Sequence, residues 1–429
     1  MARGIRLGAA LLAALLLTAG CSRPAAGPAG SDSSMDNTFV LGSTAAQSAA
    51  SSPQTTAGTA AVSTGGVRTE GTAPATGRPP SSSAATAPAP SSSGSTELTV
   101  SESSVTFFGR HYEDPRFGAW FFNWTGAGFL VRFSGTSLAA DFISNHGMET
   151  AATQPYIRVY VDDGEPARLK ITQNGRVTLA EGLSAGEHTV RVVKLNETML
   201  NSLGVQKLIV SSGGRFLPPP ALPARRIEVI GDSITCGYGN VPPFGQAELT
   251  SEIEDGTQTY GAFIGAHFGA DTRIAGVSGA AVYRNYLGTV SNFFTRYAWS
   301  DYYDEIPYDF TSWTPDLVIL NLGTNDFDKG STREEFLAGG KKWLEFLRQK
   351  YPGAVILWTY GVMNRQSDPV IREVVAARNQ AGDSRVSYHP LTAMNTAADG
   401  IGGGGHPTAA THRKMADELI PVIRTLMRW

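Results

Sequence analysis

The sequence predicts a multidomain protein in which a β-sandwich of jelly-roll type precedes a three-layer α/β domain. Short strand-like runs with turn residues between them fill residues 98–219, and many short strands at close spacing mark a sandwich. Residues 226–429 instead alternate apolar runs with helical periodicity, which argues for a mainly parallel sheet with helices on both faces. Leu217-Pro218-Pro219-Pro220 forms a stiff boundary between the two.

In chain order, residues 1–21 read as an export signal. Arg3 and Arg6 make a basic start, and Leu7 to Leu17 is an apolar core too short to span a bilayer. Thr18-Ala19-Gly20-Cys21 is similar to a bacterial lipoprotein box, with Thr18 where Leu is usual. Lipidation at Cys21 is therefore expected. The protein is then exported and touches the membrane only through its anchor, on the extracytoplasmic side; with Cys21 unmodified it is secreted. No later segment is long and apolar enough to cross a membrane. Residues 22–97 are Ser, Thr, Ala, Pro and Gly with few large apolar groups. Such a segment cannot bury enough surface to offset its ordering entropy, so a disordered tether is expected.

Lys plus Arg number 35 and Asp plus Glu 38, for a net charge of −3. That balance argues against nucleic acid as a partner. Cysteine occurs only at Cys21 and Cys236. With Cys21 lipidated no disulfide can form, so stability has to come from the core, and Cys236 reads as a small buried filler of its turn. No Cys/His spacing indicates a zinc site, and no metal or cofactor is expected. Oligomeric state is not written in the sequence.

The sandwich is read from runs such as Val105-Thr106-Phe107-Phe108, Leu130-Val131-Arg132-Phe133, Ile157-Arg158-Val159-Tyr160-Val161 and Thr189-Val190-Arg191-Val192-Val193, with turns at Asp162-Asp163-Gly164 and Gln173-Asn174-Gly175. Trp120 and Trp124 are assigned to its core. In the second domain apolar strands are expected at 227–230, 272–277, 316–321 and 354–360, with an edge strand at 385–388. A helix is expected from Arg333 through Leu347, and a last one from near Thr408 to Leu426 with a kink at Pro421. Ligand sites in such sheets lie at the carboxyl ends of the strands.

Three motifs fall at those ends. Gly231-Asp232-Ser233 follows the first apolar strand, where a nucleophile would be placed. An alcohol needs a base within hydrogen-bond reach. The chain has seven histidines, and His406 is the candidate base: it ends the Gly402–Gly405 run just before a helix, on a loop able to curl over the sheet end. Asn325, after Asn321-Leu322-Gly323-Thr324, can donate to an oxyanion; the N–H groups of Ser233 and Gly279 are the other candidate donors. Serine-based acyl transfer follows from this set. The surroundings of Ser233 are not Gly-x-Ser-x-Gly, so the α/β-hydrolase elbow does not fit.

Gly-Asp-Ser, the central glycine, Gly-Thr-Asn-Asp and a late His-Pro, in this order, resemble the SGNH (GDSL) hydrolase superfamily. The string Gly231 to Gly239, the segment Ser278 to Asn285 and the preceding β-domain are similar, more narrowly, to carbohydrate esterase family 2. The resemblance implies a jelly roll packed on a flavodoxin-like SGNH domain. It also implies an acetyl esterase acting on polysaccharide of the xylan or glucomannan type, with Ser233, Gly279, Asn325 and His406 in the four functional blocks. SGNH enzymes commonly carry Asp three residues before the histidine, where this chain has Gly403. The chain is therefore read as a Ser–His dyad with a backbone carbonyl orienting the imidazole; Asp399 is the candidate substitute. The family also tends to place an aromatic beside this histidine, where Gly404 and Gly405 stand. Trp299, Tyr302 and Tyr303 are a candidate sugar platform, set against core packing of an insertion. Two other readings stay open: an SGNH esterase for lipid, thioester or peptidoglycan O-acetyl groups, and a weakly active glycan-binding surface protein.

Overall fold

The computed structural model describes residues 94–429. The export signal, Cys21 and nearly all of the expected tether lie outside them. Residues 96–217 form two antiparallel six-stranded sheets. The first strand, Thr96–Thr99, starts two residues ahead of the expected domain boundary. It pairs with Gly204–Val210, and a backbone ladder needs no apolar side chain at its first residue. Inward residues of both sheets close one core containing Phe129, Val131, Phe133, Val190, Val192, Leu208 and Val210.

The second domain holds a five-stranded, wholly parallel sheet. Its spatial order is Asp271–Gly276, Arg226–Gly231, Leu317–Asn321, Val355–Tyr360, Val386–Pro390. Side chains alternate between two cores, as the period of a strand requires. Ile227, Val229, Leu317, Ile319 and Leu357 pack with the helices Tyr260–Phe268 and Ala409–Met427. Ile230, Val318, Leu320, Ile356 and Trp358 pack with Arg333–Lys350 and Asp368–Gln380. Thr332 starts the third of these helices with a reciprocal cap to Glu335; such a cap stabilises by about 1 kcal/mol. The last helix continues through Pro421 to Met427.

The chain runs from the first strand to the edge and returns past it to the third. That reversal leaves a crevice between the carboxyl ends of Arg226–Gly231 and Leu317–Asn321. The domains meet along a polar seam. Arg110 of the sandwich is 2% exposed. It pairs with Glu228 of the first parallel strand at 3.0 Å, and its guanidinium lies over the rings of Tyr297 and Tyr308. Trp124 belongs here and not to the sandwich core: it packs with the α/β core, and its indole N–H donates to the Ser300 carbonyl at 3.0 Å. Trp120 packs on the sandwich core.

Candidate active site

The first strand ends at Gly231, where an added Cβ would meet the Asn321 carbonyl oxygen at 2.5 Å. That close approach brings two strand ends together. Asp232 then caps the short helix Ser233–Cys236 by accepting the Ile234 N–H at 3.0 Å, and Gly237, at φ 95°, ends it. Ser233 is 5% exposed. Asp232 is wholly buried, and desolvation pushes its carboxyl up to about 7.

His406 Nε2 lies 2.7 Å from Ser233 Oγ. Its Nδ1 lies 3.2 Å from the Gly404 carbonyl oxygen. A carbonyl only accepts, so Nδ1 carries the hydrogen and Nε2 presents its lone pair to the serine hydroxyl. Burial pushes the imidazole down to about 4, against a smaller upward pull from the Gly404 and Gly403 backbone. The ring nevertheless keeps part of its surface in solvent, which tempers the shift.

Asp399 does not orient this ring: its carboxylate accepts from Lys414 Nζ at 2.6 Å. A side chain three residues before His406 would be crowded. The Gly403 N–H donates to the Gly239 carbonyl at 3.0 Å. A Cβ on Gly403 would stand 2.7 Å from Ile253 Cδ1 and 3.1 Å from Gly239 Cα. The histidine loop is thus seated backbone to backbone on the turn that follows the nucleophile. Of the other histidines, His412 is buried against Tyr260 and His389 bonds Glu418 at 2.9 Å.

Asn325 Nδ2 donates to the Ala280 carbonyl at 2.8 Å, which fixes its amide and leaves its second hydrogen for the crevice. The Gly279 loop is tied to the first strand by the Val277 N–H on the Gly231 carbonyl, at 3.2 Å. Gly279 sits at φ 78°, a conformation that disfavours any side chain. The N–H groups of Ser233 and Gly279 donate to no group among the described residues.

The aromatic platform of the sequence reading divides. Tyr302 is buried in the core, edge-on to Trp124. Trp299 is bridged to Pro307, and its carbonyl accepts from Arg110 at 3.0 Å. Only Tyr303 keeps an exposed face, its hydroxyl donating to the Met199 carbonyl at 3.1 Å. Two aromatic residues not chosen from sequence lie on the loops that carry the chemistry. Tyr238 lies against His406 with ring centroids 4.2 Å apart. It supplies the aromatic neighbour from the nucleophile's own turn instead of from the residues after the histidine. Tyr286 is 51% exposed, and its N–H donates to the Gly279 carbonyl at 3.0 Å.

Asp326 ends the Gly-Thr-Asn-Asp run. It is buried and accepts the N–H groups of Val282 at 3.0 Å, Tyr283 at 2.7 Å and Arg284 at 3.2 Å, which shapes the loop after Gly279. Desolvation raises it to about 6. Its place directly after the candidate oxyanion donor is the signal that could have marked it.

Residues 107–220 match the family model Carbohydrate esterase 2 N-terminal, and residues 229–414 match the GDSL-like Lipase/Acylhydrolase family. The cellulase/esterase CelE of Acetivibrio thermocellus is 30% identical over 318 residues, which are 71% of this chain and 38% of that one. The chain thus spans well under half of that relative. An acetylxylan esterase / glucomannan deacetylase of Cellvibrio japonicus is 26% identical over 341 residues, covering 77% of this chain and 91% of the relative. Among solved structures, a family two carbohydrate esterase from Clostridium thermocellum, in complex with cellohexaose, superposes with a TM-score of 0.70. It is 27% identical and covered to 99%, against 76% of this chain.

Proposed function

We propose that the chain, whose residues 107–220 and 229–414 match the carbohydrate esterase 2 N-terminal and GDSL-like hydrolase families, is a serine esterase that removes acetyl groups from acetylated polysaccharide through an acyl-enzyme on Ser233. The single observation that carries the role of Ser233 is the 2.7 Å approach of its Oγ to His406 Nε2. His406 accepts the hydroxyl proton as Oγ attacks the acetyl carbonyl. The Gly404 carbonyl accepts the Nδ1–H and holds the tautomer, the part a carboxylate plays in a triad. The N–H groups of Ser233 and Gly279 and the Asn325 amide receive the oxyanion. The tetrahedral adduct then collapses, His406 returns the proton to the leaving sugar oxygen, and the sugar alcohol departs. Water, deprotonated by the same imidazole, hydrolyses the acetyl-serine.

The substrate class rests on the relatives and on the exposed Tyr286 ring at the Gly279 loop. An apolar sugar face can stack on such a ring. The exported, lipid-tethered placement rests on residues 1–21 alone. The test is acetate release by the purified protein from acetylated xylan and acetylated glucomannan, set against lipid esters. Release from the polysaccharides that Ser233→Ala abolishes is expected. Preference for lipid esters overturns the substrate class, and unchanged release by Ser233→Ala overturns the nucleophile.

A further inference from the structure

The sandwich domain reaches into the site. The turn after its Gly186–Lys194 strand carries Glu197, a carboxylate that is wholly buried. Its Oε2 accepts the Ser278 N–H at 2.7 Å, and the next residue is Gly279. Its own N–H donates to Oε2 of Glu254, a buried carboxyl of the α/β domain, at 3.2 Å. Cys236, in the same short helix as Ser233, closes the group. Its thiol lies 3.5 Å from the Ser233 carbonyl oxygen and 3.7 Å from Ser278 Oγ.

Burying a carboxylate is costly unless it is paired and hydrogen-bonded. Here the balancing charge is Lys194, wholly buried, with its Nζ on the Asn196 carbonyl at 2.7 Å. The ligand atoms of Glu197, Cys236 and Glu254 lie within 4.8 Å of one another, and burial lowers Lys194 to about 7 against the upward pull of Glu254 and Glu197. Desolvation raises both acids. At 2.7 Å the Ser278 N–H makes a short bond to a carboxyl oxygen in a wholly buried setting, where a hydrogen bond is stronger than in water. The Ser278 peptide is held in one orientation, and the N–H that follows it, on Gly279, takes its direction from that anchor.

We propose that Glu197 of the sandwich domain is a positioning residue for the hydrolysis, holding the Ser278 N–H and so aiming the Gly279 N–H at the oxyanion. This rests on the esterase reading above. The test uses the purified protein with 4-nitrophenyl acetate, measuring kcat, KM and thermal midpoint. Glu197→Ala is expected to lower kcat by about 10- to 100-fold, the scale of a misaimed donor, with KM little changed. Glu197→Gln keeps the accepting oxygen and is expected to recover most of kcat. A residue that only packs the interface would lower the melting temperature and leave kcat in place at temperatures well below it. If Glu197→Ala does not fold, Glu197→Met fills the volume without an acceptor and carries the same expectation. Retention of kcat within about twofold in the acceptor-deleting variant, or equal losses in that variant and Glu197→Gln, overturns the proposal alone. Absence of Ser233-dependent turnover in the unaltered protein overturns the esterase reading, and this proposal with it.

Discussion

Acidification should leave this hydrolase active well below the pH at which a free imidazole would stop working. The group facing His406 Nδ1 is the Gly404 carbonyl, at 3.2 Å, and Asp399 is engaged with Lys414. No anion stabilises the imidazolium, so desolvation dominates and pushes the ring down to about 4. The expected midpoint is therefore about 4. At pH 5.5 nearly all of the plateau kcat/KM should then remain, whereas an unperturbed imidazole titrating near 6.5 would leave about a tenth. The assay is kcat/KM for 4-nitrophenyl acetate against pH, which reports the free enzyme. Unfolding through the raised acids does not mimic this limb. Asp232 and Asp326 have folded values of about 7 and about 6, above the 3.8 of the unfolded chain. Their contribution to stability is fully present below 3.8 and is lost as pH rises through those folded values, so acid favours the fold at both positions. An acid limb centred at 6 or above would refute the reasoning, because it would require a solvated imidazole or a carboxylate behind it.

Asn325→Ala removes one oxyanion donor and should lower kcat by about 10²- to 10³-fold with KM nearly constant; a loss below tenfold would exclude Asn325 from that role. Arg110→Ala removes the cation from the buried Glu228 side chain at the domain seam, and denaturant titration should show a loss of about 3–5 kcal/mol. A loss under about 1 kcal/mol, the scale of an exposed pair, would contradict the burial argument. Tyr286→Ala should raise KM for acetylated glucomannan by about 2- to 12-fold, the scale of one aromatic stacking contact, and leave turnover of 4-nitrophenyl acetate alone. Equal effects on both substrates would remove the ring from sugar recognition.

Much of the parallel sheet was legible because strands such as Leu317–Asn321 and Val355–Tyr360 are largely apolar runs and helices such as Arg333–Lys350 bury one face. Ser233 and His406 could be picked out because each sits where a strand ends or a helix begins. What failed was whatever depended on contacts between the domains. Trp124 reads as sandwich core from its flanking residues, yet its indole is spent on Ser300. Glu197 lies in an Asn-Glu-Thr turn with no periodicity around it, and its importance comes from Ser278, 81 residues away. The aromatic cluster in the 297–308 insertion was open to two readings, a sugar surface or core packing, and core packing accounts for most of it. The rings are there largely to enclose Arg110 and Trp124, and a buried cation draws aromatic neighbours as readily as a sugar does.

The back-to-back glycines at 239 and 403 close off one route of redesign. An engineer wishing to install a triad by grafting aspartate at position 403 would need room that Ile253 and Gly239 already occupy. A third member would have to come from some other loop, so substitution within this loop should tune how the base is held without changing what kind of group holds it.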